Sequence, residues 1–151
     1  MKLSDILSAD RVVASGAFGS KKKVLEELSR LLAGGTSLSS GDVFNSLVGR
    51  EKLGSTGLGH GVAIPHGRVA GVTQSVGAFM RLKNAVDYDS HDGQAVDLVF
   101  GLLVPQQATE EHLKHLAAIA EMFSNEQFCA KLRDTHDDKA LHKLITHYTP
   151  A

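Results

Sequence analysis

The chain has 151 residues, 42% of them hydrophobic, and its 22% of charged residues nearly cancel to a formal net charge of -1. That length and composition suffice for one core in a single domain spanning 1–151. The charge balance excludes the broad basic footprint of a nucleic-acid-binding chain. The amino terminus, MKLSDILSADRVV, lacks the apolar centre of a secretory signal, and no stretch reaches the ~20 apolar residues that span a bilayer. A soluble, cytoplasmic protein without membrane insertion is expected. Cys129, the one cysteine, cannot form an internal disulfide, which suits a reducing compartment, and within NEQFCAKL it reads as a small core residue.

In chain order, Ser20 is placed to cap a helix in which Val24, Leu25, Leu28, Leu31 and Leu32 recur at helical spacing, with Gly34-Gly35 as its stop. A second helix is predicted from Ser39 or Ser40, burying Val43, Phe44, Leu47 and Val48 and ending near Gly49-Arg50. Next comes REKLGSTGLGHGVAIPHGRV, whose five glycines between Gly54 and Gly67 favour a loop leading into a short strand. Two strands are predicted over Ser75–Leu82 and Ala95–Val104, separated by the turn signal Asp92-Gly93. The second is apolar on both faces, as in a strand covered on both sides by helices, and Pro105 ends it.

Thr109 is placed to cap a helix with Glu110 and Glu111 in its first turn and with Leu113, Leu116, Ala117, Ala120 and Phe123 facing inward. Ser124 with Gln127 reads as a capping box for another helix carrying Phe128 and Leu132, and a last helix is predicted around Lys139–Ile145. Helices before, between and after a few strands indicate an α/β fold, a three-layer α/β/α sandwich with a small mixed β-sheet.

Of the eight histidines, His91 lies in a polar turn, and His136, His142 and His147 in the charged carboxy-terminal region read as solvent-exposed. His66 is different. Pro65 fixes its own φ and pushes Ile64 into an extended conformation, while Gly67 allows a sharp exit, so the imidazole sits in a stiff frame. That frame serves either a structural turn histidine or a nucleophile, because neutral imidazole has a ring nitrogen able to attack phosphorus. His112 falls near the start of its helix, where free backbone amides favour a phosphate. It reads as a packed or capping residue or as a donor to a phosphoryl oxygen. A metal-dependent hydrolase is a further reading and would need His60, His66 and His112 to converge on one ion.

The segment from Arg50 to Gly67, with its arginine, Ser/Thr turn, glycines and A-x-P-H-G ending, resembles the signature of the fructose/mannitol-type enzyme IIA of the bacterial sugar phosphotransferase system. The DLVFGLLVP strand and the EHLKHLAAIAEMF helix resemble later blocks of the same family, and the chain is most similar to its stand-alone, nitrogen-related members. The resemblance implies the α/β/α fold and a phosphotransferase acting through a phosphohistidine. It makes His66 the phosphoryl acceptor, His112 the histidine that stabilises the phosphoryl group, Arg50 the guanidinium beside it, and Ser55 and Thr56 a phosphate-binding turn. It implies no metal and no cofactor. The implied partners are an HPr-like phosphocarrier and either regulatory targets or a IIB component, the last belonging to a sugar-transport alternative. His60 departs from the pattern, since related sequences carry asparagine there. Leu58 and Val62 are expected to lend apolar surface to the site.

Overall fold

The computed structural model describes residues 2–149. A short helix α1 (Leu3–Ile6) and a 3-10 turn lead into β1 (Val12–Gly16), followed by α2 (Lys21–Ala33) and α3 (Ser40–Glu51). Three short strands come next, β2 (Gly57–Gly59), β3 (Val62–Ala63) and β4 (His66–Val69), and then two long ones, β5 (Val76–Val86) and β6 (Val96–Pro105). The chain closes with α4 (Glu110–Phe123), α5 (Glu126–Arg133) and α6 (Asp138–Thr146).

The six strands form one mixed sheet in the order β1-β5-β6-β3-β2, with β4 also paired to β6. β5 and β6 run antiparallel, whereas β1 is parallel to β5, and β3 and β4 are both parallel to β6. β3 and β4 therefore form one strand interrupted at Ile64-Pro65. Alternation along β6 distributes its side chains between two cores. Leu98, Phe100, Leu102 and Val104 pack with α4, α5 and α6, while Val99 and Leu103 pack with α2 and α3. A Cβ at Gly101 would lie 2.6 Å from the Leu28 side chain, so the glycine is what lets α2 lie against the strand. Each such fully buried leucine or phenylalanine stabilises the fold by about 1.5–3 kcal/mol. The layers are those expected: helices, a mixed sheet, helices.

The caps at Ser20 and Ser39 form as predicted, accepting from the backbone amides of Lys23 and Asp42. Four local expectations are corrected. α1 and β1 were not anticipated, because β1 is five residues long and is secured by distant partners: Val12 and Val13 pair with Phe79 and Met80, and the Ala14 amide donates to Asp138. α5 is capped by Asn125 instead of Ser124, the Asn125 side chain accepting from the Phe128 amide. α4 is rotated from the expected face, burying His115, Ile119, Met122 and Phe123 while Leu113 and Ala117 are exposed. His142 is half-buried and bonds to the Leu7 carbonyl at 2.8 Å, tying α6 to the amino-terminal segment. Cys129 lies in the core, as expected.

Candidate functional site

Arg50 belongs to the last turn of α3, which ends at Glu51, close to the expected stop near Gly49-Arg50, and its Nη1 donates to the Gly54 carbonyl at 2.8 Å. The turn that follows is fastened from beneath by Glu51. The buried Glu51 carboxylate accepts from the Thr56 amide at 3.1 Å and from the Thr56 hydroxyl, and it pairs with Lys21 at 3.0 Å. Thr56 Oγ1 also bonds to the hydroxyl of the fully buried Tyr88 at 3.2 Å. Burial, with Glu51 nearby, pushes the Tyr88 phenol far up, so it stays neutral. Ser55 Oγ donates to the Tyr88 carbonyl and accepts from the Gly57 amide, both at 3.1 Å. The hydroxyls of Ser55 and Thr56 thus face the scaffold, and neither residue lines the cleft at His66.

His66 opens β4. The Ile64 amide donates to Thr56 and the Leu102 amide to Pro65, so the interruption is anchored on both sides, and the Ile64 carbonyl turns toward the imidazole. His66 Nδ1 lies 2.8 Å from that oxygen. A carbonyl only accepts, so Nδ1 carries the proton and Nε2 keeps its lone pair. Burial is the chief cause that holds the His66 pKa below its ordinary value; Arg50 acts in the same sense, against the Ile64 bond and Glu51. The ring is neutral and oriented before any partner arrives.

A cleft of about 430 Å³ opens here, with Arg50 and Leu53 on one wall, His66 and Arg68 on the floor, and Leu113 and Leu116 of α4 opposite. Gly67 makes the junction of α3 with β4 possible: a Cβ there would lie 2.2 Å from Ser46 Oγ, which itself donates to the Arg68 carbonyl at 3.0 Å.

His112 occupies the third position of α4, where a capping box usually carries Glu or Gln. The Thr109 amide donates to His112 Nδ1 at 3.1 Å, so Nδ1 is the acceptor and Nε2 is left as the donor, although His112 itself does not line the cleft. Its helix neighbours Leu113 and Leu116 line the cleft. Behind it is His115, which the sequence reading passed over. His115 is buried, bonds through Nδ1 to Ser75 Oγ at 2.8 Å, and meets the His112 ring edge-on with centroids 6.1 Å apart. Spacing i, i+3 from His112 was the available signal.

His60 lies apart, with a side chain 76% exposed beside Glu126 in a separate cleft shared with Cys129 and Arg133. Its backbone φ is +55°, the left-handed region that asparagine tolerates better than most side chains, which gives a physical reason for the asparagine that the family resemblance leads one to expect there. Its amide donates to Asp92 and its carbonyl accepts from Arg133, so the backbone at this position is held whatever the side chain does. His60 and His66 do not converge, and among the described residues no group of three or more His, Cys, Asp or Glu side chains is placed to hold a metal ion. Val62 is only 1% exposed and offers no surface, while Leu58 borders the His60 cleft. The exposed apolar residues at His66 are Leu53, 85% exposed, and Leu113, 42% exposed.

Residues 5–148 match the family described as phosphoenolpyruvate-dependent sugar phosphotransferase system, EIIA 2, and the chain belongs to that family. It is 42% identical over 146 residues to a nitrogen regulatory protein of Pseudomonas aeruginosa, spanning 96% of this chain and 95% of that one. Its fold is similar to the crystal structure of nitrogen regulatory protein IIA-Ntr from Neisseria meningitidis, with a TM-score of 0.90, 46% identity, and coverage of 95% of this chain and 99% of the other. The fold is also similar to that of the mannitol enzyme IIA of Escherichia coli, solved in complex with phosphorylated enzyme IIB, with a TM-score of 0.78, 20% identity, and coverage of 94% and 98%. The protein is thus a phosphoryl carrier of the phosphotransferase system with a regulatory role, in preference to a sugar-permease component. Among the described residues no helix is long and apolar enough to cross a membrane.

Proposed function

We propose that the chain, acting as one unit over 1–151 in the cytoplasm, accepts a phosphoryl group on Nε2 of His66 from a phosphohistidine carrier of the HPr type. The observation that carries this reading is the bond from His66 Nδ1–H to the Ile64 carbonyl, which leaves Nε2 as the free nucleophile in the cleft. The phosphorus–nitrogen bond to the carrier breaks as the bond to Nε2 forms, and the His66 proton stays on Nδ1. Arg50 supplies a guanidinium beside the ring, and His112 Nε2–H a donor from the start of α4. Both stabilise oxygen charge without moving during the reaction. Ser55 and Thr56 act through the turn they hold, which positions Arg50. Onward transfer goes to water or to a IIB-type protein, the kind of partner with which the similar mannitol enzyme IIA was solved.

The test is incubation with enzyme I, an HPr-like carrier and phosphoenolpyruvate, followed by intact-mass measurement. One acid-labile, base-stable phosphoryl group is expected on the wild type and none on His66→Ala. Normal phosphorylation of the alanine variant sinks the assignment.

A further inference from the structure

Beyond His66 and Arg50, the cleft contains a second guanidinium that the motif does not single out. Side chains two apart on a strand share a face, ~6.6 Å from one another along the chain. In β4 that pair is His66 and Arg68. Their partners on β6 are Leu102 and Val104, and all four residues line the same cleft. His66 and Arg68 therefore project from one face of one strand into one space.

The state of Arg68 differs from that of every other arginine. Arg11, Arg30, Arg50, Arg81 and Arg133 each donate a side-chain hydrogen bond to an oxygen of the protein. Among the described residues the Arg68 guanidinium has no hydrogen-bond or ion-pair partner. Its backbone is nevertheless fixed, since the carbonyl accepts from Ser46 Oγ and the strand is paired to β6. No carboxylate lines the cleft, so nothing inside it competes for the charge. Arg50, by contrast, already has one nitrogen committed to Gly54.

We propose that Arg68 is a phosphoryl-binding residue, a second fork that closes on the equatorial oxygens of the group carried by His66, from the strand side. The proposal rests on the assignment of His66 as acceptor. A planar guanidinium with five donors matches phosphoryl oxygens in a way that a single ammonium does not. A contact made as charge develops raises the rate of transfer itself, and one that persists on the product raises the equilibrium share of the phosphorylated form.

The experiment compares wild type, Arg68→Gln and Arg68→Lys in single-turnover transfer from the phosphorylated carrier at saturating and subsaturating concentrations, with thermal unfolding as a control. In parallel, the Arg68 Nε–H resonance of the wild type is followed by NMR before and after phosphorylation. Arg68→Gln is expected to unfold near the wild-type temperature and to lower the saturating rate about tenfold to a hundredfold. Arg68→Lys should fall between the two, and the wild-type Nε–H signal should shift on phosphorylation. An unchanged saturating rate with only a raised KM would make Arg68 a docking cation and overturn the proposal. If the glutamine variant fails to fold, an Nε–H signal indifferent to phosphorylation overturns it equally. Phosphorylation that persists in His66→Ala would instead overturn the parent assignment, so the two failures are distinguishable.

Discussion

The Ile64 carbonyl and Nδ1 of His66, two residues apart in sequence, are joined by a hydrogen bond of 2.8 Å that fixes the tautomer of the reactive ring. Pro65 between them fixes its own φ and keeps Ile64 extended. The bond favours a proton on Nδ1, whereas burial, the larger influence, disfavours a second proton on the ring.

A pH dependence follows from that balance. The folded ring has a pKa below its ordinary 6.5, so the neutral nucleophile persists below pH 6.5, and the acceptance rate should hold its neutral-pH value there before it falls. Stability has the matching sign. Below pH 6.5 the unfolded chain takes up a proton that the folded ring resists, so stability declines as the pH drops toward the folded value and levels off beneath it. Urea-unfolding midpoints measured on acidification should fall more steeply for wild type than for His66→Gln. A residual slope is expected in the variant, because burial also lowers the pKa of His115. Identical slopes would contradict the burial of His66 as the source.

His112→Ala should fold and transfer slowly. Losing the acceptor for the Thr109 amide costs about 0.5–1 kcal/mol, the scale of a helix cap, so the unfolding temperature moves by only ~1–4 °C. Losing the preorganised Nε2–H donor should slow transfer by a factor of about 10². Unchanged kinetics with a stability loss of several kcal/mol would assign His112 to packing alone.

Gly67→Ala tests how α3 is seated on β4. The added Cβ meets Ser46 Oγ at 2.2 Å and Ser46 Cβ at 3.2 Å, so either Ser46 or the strand must shift, at a cost of about 1–3 kcal/mol. Ser46→Gly in the same chain should recover part of that loss, an interaction that a double-mutant cycle reads directly. If the two changes are additive, the close approach is not what requires glycine.

Phosphorylation should change which proteins bind. It introduces roughly -1.5 to -2 charges into a chain with a formal total of -1, between the exposed side chains of Leu53 and Leu113. A partner that packs on those leucines in the unmodified state must desolvate the new dianion or meet it with a cation. Pulldown partners compared at two salt concentrations should prefer the unphosphorylated form when they lack such a cation, and Leu53→Ser with Leu113→Ser should weaken them. Equal affinity of every partner for both forms rejects the switch.

Helix periodicity, caps and the rigid Ile64-Pro65-His66-Gly67 frame were legible in the sequence because each depends on residues within a turn or two of one another. The layers followed from β6, whose apolar run, interrupted by Asp97 and Gly101, requires cover on both faces. Surface and partner could not be read in the same way. Val62 looked available and is buried, because β3 is inserted beside β6; Leu113 looked buried and is exposed, because α4 turns His115 and Ile119 inward instead. Ser55 and Thr56 have the right chemistry for phosphate, yet their hydroxyls are engaged by Tyr88 and Glu51, and Tyr88 lies more than thirty positions away. Arg68 stands two positions after His66, but only the pairing of β4 with β6 shows that the two share one cleft. Periodicity reports which stripe of one element is apolar, whereas a side chain's partner is set by pairings between elements distant in sequence. The tertiary structure alone brought α3, β4 and α4 around one imidazole.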